Sequence, residues 1–355
     1  MDSIDRIIGR LTIEEKVAQL FITTPESLTR SDDPVLSCNY ELEEALRAVP
    51  IGGILYFGRN LADKNQTKEL LKKTQQVSIV RTGIPLFQSV DEEGGYISKV
   101  ANNEAFGVRN IGTPTDLAKG NDLKIIRESG AYVGDYLSEL GFNLDYAPCA
   151  DVLTNEKNTV IEDRSYGSDP VIVANMAAAF AEGLLSKKIL SSYKHFPGHG
   201  DTAGDSHKGY VYTNKTLKQL YECDLIPFIK GIEMGVPMIM VGHISFPNII
   251  ENDDPASLSK KIITELLREE LGFDGVIISD SLKMKAVSES YTSKDASLKV
   301  LEAGADLILR PIDFYSAYEG IVEEARAGSL SEDRINESLR RILKLKRQIA
   351  WRDEV

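Results

Sequence analysis

The stretch Lys194-His-Phe-Pro-Gly-His-Gly-Asp-Thr-Ala-Gly-Asp-Ser-His207 holds three of the chain's four histidines, His195, His199 and His207. Asp201 and Asp205 share it with three glycines and one proline. Proton carriers and charge are thus set on a backbone that turns tightly, which marks a catalytic loop. Asp205 and His207 are two residues apart, so in an extended loop their side chains point the same way. The carboxylate then holds one ring nitrogen, fixes the tautomer and leaves the other nitrogen to move a proton near neutral pH. Far along the chain Asp280 follows Val276-Ile-Ile-Ser279. A carboxylate leaving a buried run in this way has the rigid mount a nucleophile needs.

The elements that must position these groups are eight short apolar runs: Leu20–Thr23, Gly53–Phe57, Pro85–Val90, Asn143–Ala147, Ser191–His195, Met238–Gly242, Val276–Ser279 and Asp306–Leu309. Nearly continuous apolar character suits parallel strands buried on both faces, and the segments between them are long enough for crossover helices. Eight such units predict an α/β fold, a TIM (β/α)8 barrel, as one domain over residues 1–355. In a barrel the C-terminal strand ends face the site. Here those ends carry Asp91 (third), Asp145 and Asp151 (fourth), Lys194 and His195 (fifth), His243 (sixth), Asp280 (seventh) and Arg310 (eighth). A lone polar residue at a strand end is readily a surface cap; ionisable residues at six of eight ends predict an enzyme.

Helix signals agree. Thr12-x-x-Glu15 reads as a capping box, and Ser331 precedes Ile335, Leu339 and Ile342 on one apolar face. The segment from Asp151 to Ser191 reads as a long, partly structured loop, and so does the stretch from His195 to Thr213. Gly200 and Gly204 would let the latter move over a substrate.

Composition bounds the function. The 355 residues are 42% hydrophobic and carry a net charge of −13. Their lysines and arginines form no sustained basic stripe, which argues against nucleic acid. No apolar run reaches the length of a membrane span. Met1-Asp-Ser-Ile-Asp-Arg6 lacks the basic and apolar regions of a signal peptide, and three scattered cysteines suit a reducing compartment, so a cytoplasmic location is expected. Nothing suggests more than a monomer or weak dimer. Cys149 reads as a small buried hydrophobe, His199 and Asp201 as organisers of a tight turn.

Other chemistries fit less well. His195, His199, His207, Asp201 and Asp205 include zinc-binding types, but a Gly/Pro loop offers no shared helical face and His-Glu-x-x-His is absent. There is no Gly-x-Ser-x-Gly for a serine hydrolase.

The long stretch from Lys194 to His207 resembles the signature of glycoside hydrolase family 3, in its β-N-acetylglucosaminidase branch. The similarity extends to Ile51-Gly-Gly-Ile-Leu-Tyr-Phe-Gly-Arg-Asn60, Asp91-Glu-Glu-Gly-Gly95, Asp145-Tyr-Ala-Pro-Cys-Ala-Asp151, Asp163-Arg-Ser-Tyr-Gly167, Pro255-Ala-Ser-Leu-Ser259 and Leu271-Gly-Phe-Asp-Gly-Val-Ile-Ile-Ser-Asp280. The resemblance implies Asp280 as nucleophile and His207 as general acid then base, with Asp205 as its orienting partner. It implies Asp91, Arg164, Lys194 and His195 as sugar-binding residues, with Asp151 and His243 lining the same pocket. The implied substrate is a terminal β-GlcNAc glycoside of the cell-wall muropeptide class, cleaved with retention and without a cofactor. The usual retaining pair is two carboxylates about 5–5.5 Å apart. A neutral imidazole in place of one repels an anion less, so phosphate is the alternative acceptor and a GlcNAc phosphorylase the alternative reading. A metal-dependent hydrolase and a non-catalytic sugar-binding protein stand further off; the latter should have lost Asp280 or His207. The chain departs from the family pattern at Glu92, where Gln is frequent, at Tyr96, where Arg is frequent, and at Phe106-Gly-Val-Arg-Asn110.

Overall fold

The computed structural model describes residues 3–202, 209, 211–252 and 254–349. Eight parallel strands form its centre: β1 (Phe21–Thr23), β2 (Gly53–Leu55), β3 (Phe87–Val90), β4 (Leu144–Asp145), β5 (Leu190–Phe196), β6 (Met238–Val241), β7 (Val276–Ser279) and β8 (Ile308–Leu309). From β1 to β7 each pairs with the next in sequence, and β1 also pairs with β8. A parallel bridge between Ile278 and Leu307 joins β7 to the entry of β8, closing the ring as a TIM barrel. Every strand residue of the ring is buried, which is why the apolar runs show no two-residue alternation.

The paired segments mostly fall inside the apolar runs. The third loses Pro85, whose nitrogen has no hydrogen to give a ladder, and Leu86; the fourth keeps only Leu144 and Asp145. The fifth is longer than its run, reaching Phe196, and its register with β6 shifts between Tyr193 and Phe196. That shift breaks the alternation, and Lys194 and His195 both turn toward one cavity.

Helices enclose the ring. Thr12 and Glu15 form the expected capping box. Helix Glu332–Lys346 is capped by Ser331 and buries Ile335, Leu339 and Ile342. The segment after the fourth strand is a correction: it holds the helix Pro170–Ser186, capped by Asp169. Its run Val-Ala-Asn-Met-Ala-Ala-Ala-Phe-Ala is apolar on most sides, so it lacks the one-sided stripe by which a surface helix is recognised. It lies against helix Leu123–Leu140, and a Cβ on Gly130 would sit 2.2 Å from the Phe180 carbonyl oxygen. Among the described residues no helix is long and apolar enough to cross a membrane.

Candidate active site

A cavity of about 200 Å³ opens at the C-terminal mouth of the barrel. Asp91, Arg164, Lys194, His195 and Asp280 line it together, with Glu93 and Arg310. The strands bring these residues to one place from positions up to 219 apart in the chain (Arg310 and Asp91).

Asp280 emerges directly from β7. Its backbone N–H donates to the Val241 carbonyl at 2.9 Å, and its Oδ1 accepts from the Ser281 N–H at 2.7 Å. The carboxylate is therefore fixed on the cavity wall while remaining partly exposed.

Opposite stands a network around Glu93, which the sequence reading did not single out. Arg164 donates to it twice, at 2.9 and 2.8 Å, and the Lys194 Nζ lies 2.6 Å from its Oε1. Lys194 also donates to Asp91 at 2.7 Å. Burial alone would raise the pKa of Glu93, but the charges of Arg164 and Lys194 outweigh it and hold the group at about 2. Burial likewise works against the Lys194 charge, and Asp91 and Glu93 override it, so its pKa is raised. The two-residue spacing of Asp91 and Glu93 is the signal that could have found Glu93.

Glu92 has a different task. It accepts from the backbone N–H groups of Val100 and Ala101 and from the Tyr136 hydroxyl. These bonds secure the turn after β3, where a small hairpin pairs Glu92–Gly94 with Ile97–Ser98. The departure from Gln at this position therefore changes a buried structural bond rather than the cavity wall.

His195 is held from behind. Its Nδ1 lies 2.7 Å from the Asp151 carboxylate, and Arg164 Nη2 lies 3.4 Å from its Nε2. A guanidinium only donates, so Nε2 accepts and Nδ1 carries the proton toward Asp151. Asp151 also accepts from the backbone N–H of His199 at 2.7 Å and from the Cys149 thiol at 3.2 Å. It is fully buried and is not among the residues lining the cavity. The structure thus places Asp151 as the support of His195, and Cys149 as a hydrogen-bond donor rather than only a small hydrophobe. Cys149, Asp151 and His195 are the kind of group that could hold a metal ion, their ligand atoms lying within 4.8 Å of one another. Here those atoms bond to each other.

His243 is also displaced from its expected position. It is buried at the end of β6, with Nδ1 2.6 Å from Ser257 Oγ and Nε2 3.0 Å from the Ser281 carbonyl. It braces the residue after Asp280 and is not among the cavity-lining residues.

Asp205 and His207 lie outside the described residues. The stem that carries them is described. The Thr213 hydroxyl donates to Asp201, and Asn155 Nδ2 to the Asp201 carbonyl at 3.0 Å. His199 Nδ1 lies 2.8 Å from Thr202 Oγ1; burial and the neighbouring His195 lower its pKa to about 4. Both residues organise the turn, as their sequence suggests. Gly200 is no free hinge: a Cβ there would fall 1.9 Å from the Val152 carbonyl oxygen, so glycine serves close packing.

A carboxylate on one wall, faced by a carboxylate–ammonium–guanidinium array of hydrogen-bonding groups, can hold a polyhydroxylated substrate and attack it. Known proteins of like sequence have such substrates in their names. The chain is 31% identical over 331 residues to Beta-hexosaminidase A of Pseudoalteromonas piscicida, a match covering 87% of this chain and 55% of that protein. It is 36% identical over 272 residues to Beta-hexosaminidase LpqI of Mycobacterium tuberculosis, covering 74% of this chain and 68% of that one. The glycoside hydrolase family 3 β-N-acetylglucosaminidase from Paenibacillus sp. str. FPU-7 superposes with a TM-score of 0.90 at 33% identity, over 96% of this chain and 63% of that structure. The chain therefore spans only about half the length of the Pseudoalteromonas protein and less than two thirds of the Paenibacillus one. The glycosyl hydrolase family 3 N terminal domain matches residues 12–345, nearly the whole barrel, and the chain belongs to that family.

Proposed function

We propose that this protein is a retaining exo-β-N-acetylhexosaminidase acting on terminal non-reducing β-GlcNAc, with cell-wall muropeptides as its substrate class. Asp280 attacks the anomeric carbon and forms a glycosyl ester as the aglycone oxygen leaves. His207, oriented by Asp205, protonates that oxygen and then takes a proton from the water that releases the sugar. Asp91, Lys194, Arg164 and His195 hold the sugar's hydroxyl groups, Asp151 and Glu93 hold those side chains in place, and His243 steadies the backbone next to Asp280.

The observation that carries this reading is the convergence of Asp280 with Asp91, Lys194, Arg164 and His195 on one small cavity at the barrel mouth. The names of the relatives support the acetamido sugar.

The test is the initial rate on aryl β-GlcNAc and aryl β-glucoside, each with and without inorganic phosphate, with the products identified. Release of GlcNAc without phosphate is expected; GlcNAc-1-phosphate formed only with phosphate would make the enzyme a phosphorylase. Asp280→Ala should abolish turnover while sugar binding persists, and near wild-type rates in it would remove the nucleophile assignment. His207→Ala should slow poor leaving groups far more than activated aryl ones.

A further inference from the structure

Beside the catalytic cavity lies a second hollow of about 580 Å³, and Phe57 and Arg310 line both. Arg30, Arg59 and Lys283 line the second hollow as well. Most of its carboxylates are already engaged. Glu26 accepts from the Val35 N–H at 3.1 Å and from Asn60 at 2.6 Å, and pairs with Arg59 at 3.6 Å. Asp313 caps the helix Phe314–Ala327 through the Ser316 N–H at 2.7 Å. Exposed Asp32 is left against Arg30, Lys283 and Arg310.

Arg310 is the distinctive member. It ends β8 in the left-handed region, φ 45°, which L side chains seldom adopt and which concentrates at functional positions. Its backbone N–H is nevertheless tied to the Ile22 carbonyl at 2.7 Å. The half-buried guanidinium lies 4.7 Å from the centre of the Phe57 ring and has no hydrogen bond or ion pair among the described residues. A fork of five N–H donors, stacked on a ring and facing the shared rim, matches a planar oxyanion.

Resting on the glycosidase reading above, we propose that Arg310 is a specificity-determining residue that receives an oxyanion at the junction of the two hollows. Its ligand is an anionic group of the leaving aglycone, with inorganic phosphate as the other source of the same chemistry. Arg30 and Lys283 supply the surrounding positive field that draws the anion in.

The experiment compares 3-carboxyphenyl β-GlcNAc with its 3-carbamoyl counterpart on the full chain. The quantity read is the ratio of kcat/KM for the two, so that intrinsic differences in leaving ability cancel between wild type and variants. Arg310→Gln should lower the carboxylate preference about tenfold, whereas Arg310→Lys, which keeps charge without the fork, should retain part of it. An unchanged ratio in a folded Arg310→Gln protein overturns the proposal. Calorimetric titration of both ligands into the Asp280→Asn protein reads recognition without turnover; tighter binding of the carboxylate, lost on adding Arg310→Gln, supports the site. Wild-type turnover of both substrates with no such discrimination leaves the glycosidase reading standing and removes this one. Failure to bind or turn over either removes both. A rate on the carbamoyl substrate that rises with inorganic phosphate in wild type but not in Arg310→Gln assigns the oxyanion to the acceptor.

Discussion

Lys194 at the mouth of the barrel and Lys346 at its floor are both buried, at 3% and 0% exposure, yet their surroundings are opposite. Lys194 has carboxylates at 2.7 and 2.6 Å, and its pKa is raised. Lys346 ends helix Glu332–Lys346, donates at 2.9 Å to the neutral Gln19, and lies 5.0 Å from the centre of the Phe87 ring. Gln19 bonds the Pro50 and Ile51 carbonyls just before β2, and Phe87 is the first residue of β3, which places this lysine at the N-terminal end of the ring. Burial without a carboxylate drives its pKa well below 10.5. One buried residue type is thus kept charged where anions meet it and pushed toward neutrality where they do not. At the mouth, charge is kept on the cavity wall. At the floor, it costs stability.

The comparison breaks most decisively at Glu93. Glu93→Gln removes the anion shared by Lys194 and Arg164, and should cost about 3–5 kcal/mol of stability together with, on the proposed glycosidase reading, on the order of a hundredfold in kcat/KM as Lys194 and Arg164 shift on the cavity wall. Denaturant midpoints and rates measure both; a loss under about 1 kcal/mol would mean the network is not what holds the mouth.

The two lysines themselves should then respond with opposite sign. Lys194→Met takes the ammonium from Asp91 and leaves Glu93 to Arg164 alone, and should destabilise by about 3 kcal/mol, while Lys346→Met should be neutral or stabilise by about 1–3 kcal/mol. Below 10.5 and above its depressed folded value, Lys346 keeps its proton only in the unfolded chain. Its contribution to stability therefore rises with pH by about 1.4 kcal/mol per unit and levels off above 10.5. Melting curves over the pH range just below 10.5 should show this slope in wild type and lack it in Lys346→Met; equal slopes in both would return the charge to the floor lysine.

The smallest effect belongs to Cys149. Cys149→Ser keeps a donor 3.2 Å from Asp151, so stability should change by less than about 1 kcal/mol and KM by less than twofold. A large rise in KM would show that the thiol, and not only a donor, sets the Asp151–His195 pair.

Much of the site was legible because barrel topology turns strand ends into neighbours. Asp91, Lys194, His195 and Asp280 were read from their positions at the ends of apolar runs, and all line one cavity. Asp151 and His243 were read by the same rule, and their side chains serve as supports, because a strand end faces both the cavity and the loops behind it. Glu93 was missed since it stands beyond the strand, in a hairpin that no apolar pattern announces. The helix Pro170–Ser186 was missed because it is packed on most of its sides, which erases the periodicity that marks a helix at a surface.

The sequence by itself determined the eight buried strands, their order around the ring and the chemistry available at their ends, since apolar continuity and residue type are local properties. Only the tertiary structure decided which ends meet. It paired Arg164 with Glu93 across 71 positions, set Asp151 behind His195, left Lys346 without an anion and brought Arg310 onto Phe57. Whether a buried group is charged, and which ligand it meets, depends on distances of a few ångströms between residues far apart in the chain, and those distances exist only once the barrel has closed.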